Sequence, residues 1–200
     1  MSTAYEQDGR VAQKQRTRAA LVAAAQGLVA QGHTPTVEDA AEAASISRTT
    51  AYRYFPNQRV LLAAAHPETA MVSMLPTNAP SDPIERVDLV VKRFTRMILA
   101  TEKQQRTMLR LSLEDSPAEL PLRQGRAIGW LTEALEPARD QLRSDGMRSL
   151  VFALRSATGI EALVWLKDVA GLSNTEALRL MRWSARALVR AALDDAGYVG

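Results

Sequence analysis

The chain has 200 residues, 46% of them hydrophobic and 24% charged, and no cysteine. That is the make-up of a globular protein long enough to bury a core, and it excludes disulfide staples, thiolate metal sites and a cysteine nucleophile; two histidines, His33 and His66, leave little for a histidine metal cage. The net charge is only +3, but Arg10, Lys14, Arg16 and Arg18 lie in an acid-free window between Asp8 and Glu38, Arg48, Arg53 and Arg59 lie in another between Glu42 and Glu68, and from residue 67 onward 18 basic residues face 17 acidic ones.

In chain order the pattern is helical almost throughout. Alanine is frequent, glycine and proline fall mostly between periodic segments, and no alternating strand pattern appears. The expected fold class is all-α. A first helix is predicted from Val11 to Gln31, with Leu21, Ala24, Ala25, Leu28 and Val29 on its apolar side and Gly32 as its stop. Thr36 is placed to cap a short helix, Val37 to Ala43, with Asp39 in its first turn. Ala44-Ser45-Ile46 forms a turn, and Ser47 caps a third helix from Arg48 to about Phe55. Pro56-Asn57 breaks the chain before a fourth helix with Val60, Leu61 and Leu62. Pro67, Pro76, Pro80 and Pro83 mark residues 67–83 as a kinked linker, dividing a domain 1–66 from a domain 84–200. Pro67 is expected to end or kink the fourth helix near His66.

Beyond the linker, Asp82 caps and Pro83 opens a helix reaching about Lys103, with the stripe Ile84, Val87, Val91, Phe94 and Ile98. A shorter helix follows from Gln105 to Glu114, then a loop bracketed by Pro117 and Pro121. A helix from Leu122 to about Leu142 is expected to kink at Pro137, and an apolar helix from Met147 to Val169 to stop at Gly171. Ser173 and Glu176 form a capping box for a last helix to about Asp194, with the stripe Leu178, Met181, Ala185, Leu188 and Ala192. Unbroken apolar runs fall far short of the ~20 residues a bilayer requires, and the first residues lack the pattern of a secretion signal. The expectation is a cytoplasmic chain without membrane contact.

Residues 36–55 follow a helix, turn, helix plan. The second short helix opens Ser47-Arg48-Thr49-Thr50, continues with Tyr52, Arg53 and Tyr54, and contains no acid. Small hydroxyls and an arginine at a helix start suit the DNA major groove, while Ile46, Ala51 and Phe55 point back into a small core. The same spacing also describes two short helices of any helical protein, with Ser47 acting only as a cap.

The run from Arg16 to Leu62 resembles the DNA-binding domain of the tetracycline-repressor (TetR) family. The likeness is carried by Gly32, Thr36-Val37, Ala40-Ala41, Ile46-Ser47, Thr50, Tyr52, Tyr54-Phe55 and Arg59 in that order. The departures are Ser45 for the usual turn glycine, Thr49 for a small residue, Ala51 for a large apolar residue, Tyr54 for histidine and Gln58 for lysine. The resemblance implies an N-terminal helix-turn-helix domain with Ser47 at the start of the recognition helix. Arg48, Thr49, Thr50 and Arg53 are then expected in the groove, and Thr36, Tyr52, Tyr54, Gln58 and Arg59 on phosphates. Lys14, Arg16 and Arg18 either approach the flanking DNA or form a basic tail that contacts nothing specific.

The resemblance further implies a homodimer formed through the last two helices and a C-terminal pocket for an unidentified small-molecule effector. The apolar character of those helices fits burial, either in the monomer core or against a partner. Phe94, Met97, Met108, Trp130 and Trp165 are the expected pocket walls, or plain core. Arg110 and Glu114 are spaced for an i,i+4 ion pair, and Arg179, Arg182, Arg186 and Arg190 form a stripe expected to face solvent or acids across the interface. No catalytic set, metal-ligand spacing or cofactor-binding motif is found. The expected function is a ligand-responsive repressor that releases a palindromic double-stranded DNA operator; the alternative is a helical adaptor that binds protein without specific DNA recognition.

Overall fold

A computed structural model describes residues 3–65, 71–113 and 125–194, and every regular element among them is a helix. The fold is all-α. The chain divides into two compact units, Met1–Ala70 with Arg110–Leu122, and Met71–Leu109 with Arg123–Gly200. Residues 71–83, expected as linker, belong to the second unit, and the described residues 110–113 go with the first rather than with the C-terminal domain.

The first unit contains α1 (Thr3–Ala30), α2 (Val37–Ala43), α3 (Arg48–Tyr54) and α4 (Gln58–Ala64). The first helix starts at Thr3, ahead of the expected Val11. It ends where Gly32 adopts φ 83°, and the His33 N–H reaches back to the Leu28 carbonyl at 3.0 Å. Glycine adopts the left-handed conformation that this closure needs without steric cost. Thr36 and Asp39 make a reciprocal capping box on α2, with bonds of 2.8 and 3.1 Å. Leu21 and Ala25 of α1, Val37, Ala40 and Ala41 of α2, Ala51 and Phe55 around α3 and Leu61 of α4 are buried together. The alanines let these short helices approach closely, and Phe55 fills the space between them.

The second unit is built from α5 (Pro83–Ala100), α7 (Arg126–Leu135), α8 (Arg139–Thr158), α9 (Ile160–Val164) and α10 (Asn174–Asp194), with most of α6 (Glu102–Ser112). Its core collects Val87, Val91, Phe94 and Ile98 of α5, Trp130, Leu131 and Leu135 of α7, Leu150 and Leu154 of α8, and Ala177, Met181, Ala185 and Val189 of α10. The buried row of α10 therefore runs from Ala177 through Met181 and Ala185 to Val189; Leu178, Leu188 and Ala192 flank it, half-buried.

Helix boundaries in the second unit also differ from expectation. The helix predicted to Lys103 ends at Ala100, and Thr101, with Oγ1 donating to the Met97 carbonyl, separates it from α6. At Pro137 the α-helix is interrupted by a single 3-10 turn, Glu136–Ala138. The next helix then runs from Arg139 through Gly146 without the expected gap at residues 143–146. The break comes instead at Gly159, which is extended, and a π-turn, Trp165–Val169, follows α9. By length and composition alone Ser144–Val169 passes for a membrane span, an exception to the expectation above. Here it is divided at Gly159, and Leu150, Val151, Leu154 and Leu163 lie in the core. The predicted loop at Pro117 and Pro121, the start of the helix at Leu122, and the residues Glu114, Asp115, His66 and Pro67 lie outside the described residues.

Residues 71–82 carry no regular helix yet are strapped to the second unit. Arg93 donates to the Met74 carbonyl at 2.6 Å, the Trp130 indole N–H to the Val72 carbonyl at 3.2 Å, and Ser73 to the Glu133 carboxylate at 2.7 Å. Met74 is buried. Prolines leave such a segment without helical partners for its carbonyls, and side chains from α5 and α7 supply them.

Candidate nucleic-acid interface

The turn between α2 and α3 decides how α3 is presented. Ser45 holds φ 54°, its N–H bonds to the Glu42 carbonyl, and the Ile46 N–H bonds to the Ala41 carbonyl at 2.8 Å. This is the same left-handed closure that Gly32 makes, with a serine at the position that favours glycine. Ser47 then caps α3: its Oγ accepts from the Thr50 N–H at 3.3 Å and donates to the Thr50 hydroxyl at 2.9 Å.

The helix is sharply two-faced. Ala51 and Phe55 are fully buried, while Arg48, Thr49, Tyr52 and Arg53 are exposed. Those four share the open side of a helix that carries no acid. Thr50 is half-buried and its hydroxyl is turned to Ser47. Tyr54 is half-buried and packs against the small core.

Of the residues expected on phosphates, Thr36 and Tyr52 remain at the surface. The Thr36 Oγ accepts from the Asp39 N–H. Gln58 is used differently from expectation. Its Nε2 donates to the Thr34 carbonyl at 3.3 Å and the Pro35 carbonyl at 3.1 Å. These carbonyls sit in the loop before α2, where helical bonds cannot reach them, so the amide protons of Gln58 tie α4 to that loop. Arg59 is half-buried, and its Nε has no partner among the described residues. Along α1, Arg16 donates to Gln13 at 2.9 Å and the Arg18 guanidinium lies 5.4 Å from the Phe55 ring centroid. Arg18 thus braces the core residue that backs α3.

One residue of this surface is not singled out by the sequence. The Tyr52 hydroxyl donates to Oε1 of Glu38, in the first turn of α2. That bond lowers the Glu38 pKa and raises that of Tyr52, so both keep their ordinary charge states at neutral pH. The pair is 14 residues apart, beyond any local periodicity, and only the packing of α2 on α3 joins them.

In the second unit, the five expected pocket residues differ in burial. Phe94 and Trp130 meet edge to face with ring centroids 6.1 Å apart and are core, as is Met108; Met97 is half-buried. Trp165 is 57% exposed on the π-turn, so it is not an interior wall of this protomer. An open cleft of about 420 Å³ lies elsewhere, lined by Ser73, Leu75, Pro76, Thr77, Ala79, Arg86 and Glu133. The arginine stripe of α10 is also redistributed: Arg182 and Arg186 both bond Asp88 of α5 within the chain, at 3.0 and 2.8 Å, while Arg179 and Arg190 are exposed. A second ionic group joins α6 to the π-turn, where Arg106 bonds Glu102 and Asp168, and Lys167 bonds Glu102 at 2.6 Å. Among the described residues no three His, Asp or Glu converge as metal ligands. No protein-family model matches the chain, and no curated protein matches it.

Proposed function

We propose that the protein is a sequence-specific DNA-binding transcriptional regulator of the tetracycline-repressor type, acting as a homodimer. The observation that carries this reading is the two-faced α3. Its buried side, Ala51 with Phe55, anchors it to α1, α2 and α4, and its open side presents Arg48, Thr49, Tyr52 and Arg53 without an acid of its own. A short, acid-free helix so anchored matches the geometry and charge of the major groove. Arg48 is the foremost candidate for a bidentate contact to guanine, Arg53 for a further groove contact, and Arg59 for phosphate attraction.

The dimer reading is supported by apolar side chains left open on the helices expected to pair. Phe152 of α8 is 46% exposed, and Leu180 and Trp183 of α10 are 38% and 59% exposed. Large apolar groups in such numbers on adjacent helices favour a protein partner, and a second copy gives two α3 helices for two half-sites about 34–36 Å apart. A small molecule that binds the second unit and favours a different spacing would release the operator, which makes the protein a repressor responsive to its ligand.

The test is selection from a randomised duplex library, followed by affinity measurements at several salt concentrations. The expected result is an inverted repeat whose binding weakens steeply with salt and is lost on joint replacement of Arg48 and Tyr52 by alanine. Binding with no sequence preference at any salt defeats the reading. If the wild-type protein selects no DNA and instead captures a protein other than its own copy through its C-terminal helices, with that capture unchanged in the double variant, the adaptor reading takes its place.

A further inference from the structure

We infer that Tyr52 is a base reader, and that it accepts a hydrogen bond from an exocyclic amino group in the major groove because Glu38 takes its only proton. The inference deepens the DNA-binding reading above and rests on it. It departs from the phosphate contact that the family resemblance implies for this tyrosine.

The chemistry is one of donors and acceptors. A phenol has one O–H to give and lone pairs to accept with. In this protein the proton is given to Oε1 of Glu38. Phosphate oxygens only accept, so a phenol whose proton is already placed has nothing to offer them. Glu38 also carries a negative charge beside the hydroxyl, which repels a phosphate and attracts an N–H. A phenol bonded to a carboxylate is a stronger acceptor at its oxygen than a free one, since the two bonds polarise each other.

The position of the pair agrees. Tyr52 is 41% exposed and shares the open side of α3 with Arg48, one turn earlier. Glu38 is half-buried at the N-terminal turn of α2, where the backbone favours its ionised form. In the major groove the amino donors are adenine N6 and cytosine N4, whereas guanine and thymine present oxygen acceptors there. The pair therefore selects an amino base, adenine or cytosine, over a keto base on one strand of each half-site. Glu38 acts through Tyr52 and is a positioning residue.

The test compares the motif selected from a randomised duplex library by the wild-type protein and by the Tyr52→Phe, Glu38→Ala and Glu38→Gln variants. Affinities for the best site, with the amino base kept or exchanged, complete it. The wild-type protein is expected to require adenine or cytosine at one position per half-site and to lose roughly fivefold or more in affinity on exchange to a keto base. Tyr52→Phe should make that position degenerate while leaving the other positions and the salt dependence unchanged. Glu38→Ala should also relax it, because the freed hydroxyl can then donate. Glu38→Gln, whose amide oxygen still takes the proton, should restore the preference, and a merely structural role for Glu38 would not produce that pattern. Two results overturn the inference while DNA binding stands: a Tyr52→Phe variant weakened equally on all sequences, or an amino-base requirement that survives Glu38→Ala. A wild-type protein that selects no motif overturns this inference and the DNA-binding reading together.

Discussion

Ser45 and Asp88 show how far a single side chain reaches in this fold. Ser45 sits at φ 54° because the chain must reverse between α2 and α3 within a few residues. An L-residue in that region carries a steric cost of about 1 kcal/mol or more that glycine avoids. Ser45→Gly should therefore raise the denaturation midpoint by the equivalent of about 0.5 kcal/mol, the glycine's greater freedom in the unfolded chain offsetting part of the gain. An unchanged or lowered midpoint in urea would show that strain at this turn is not what limits the first unit. Asp88 joins α5 to α10 through Arg182 and Arg186, and its side chain is 20% exposed. Burial pushes its pKa up, but the bonds and charges of the two arginines outweigh that and hold the carboxyl below its ordinary value. A depressed carboxylate stabilises the fold above its unfolded pKa, near 3.9, and that contribution is lost as pH falls through the lower folded value. Asp88→Asn should cost roughly 1–2 kcal/mol at neutral pH, with partial exposure holding it below the penalty of a fully buried pair. The difference from wild type should shrink below about pH 4, which denaturant titrations across pH 2–7 measure.

At the scale of the element, caps decide where the short helices begin. A helix of seven residues such as α2 has little cooperative strength of its own. Its capping box, Thr36 with Asp39, satisfies N–H groups that the helix cannot. The same bonds hold the Asp39 pKa below its ordinary value. Thr36→Ala should cost about 1 kcal/mol in thermal or chemical unfolding, and because α2 carries Glu38, it should also loosen the orientation of Tyr52. The long apolar stretch of the second unit follows another rule. It divides at Gly159, where the Arg155 guanidinium bonds Glu161 at 3.1 Å and lies so close that an added Cβ would fall 1.7 Å from its Nη1. Gly159→Ala should displace that bridge rather than break the helix further, for a loss on the order of 1 kcal/mol or less, since both partners are flexible side chains. A loss several times larger would show that the backbone itself cannot accept a side chain there.

For the whole molecule, the open question is what covers Phe152, Leu180 and Trp183. In the proposed dimer these residues lie at the contact, and Trp183, the most exposed of the three, is its natural anchor. Trp183→Glu should leave the helical circular dichroism unchanged and shift the sedimenting species from two chains toward one. Dissociation should strengthen by tenfold or more, and operator affinity should fall with it, because each half-site is then bound alone. A variant that stays dimeric at micromolar concentration would place the contact on another face.

Periodicity and punctuation in the sequence were enough to determine that the chain is helical, that Gly32, Thr36, Ser47, Asp82 and Ser173 bound its helices, and that Ala51 and Phe55 face inward while Arg48 and Arg53 face out. These are local properties: a cap or a stripe acts within one or two turns, and its residues are neighbours in the chain. Tertiary structure decided the rest. It paired Glu38 with Tyr52, Gln58 with the loop before α2 and Asp88 with Arg182 and Arg186, across separations of 14 to 98 residues. It also ran α8 through Gly146, where Leu142, Met147 and Leu150 in the core outweigh a glycine's helix penalty of about 1 kcal/mol. A polar side chain chooses its partner by what packing brings within about 3 Å, and that distance is set by the whole fold.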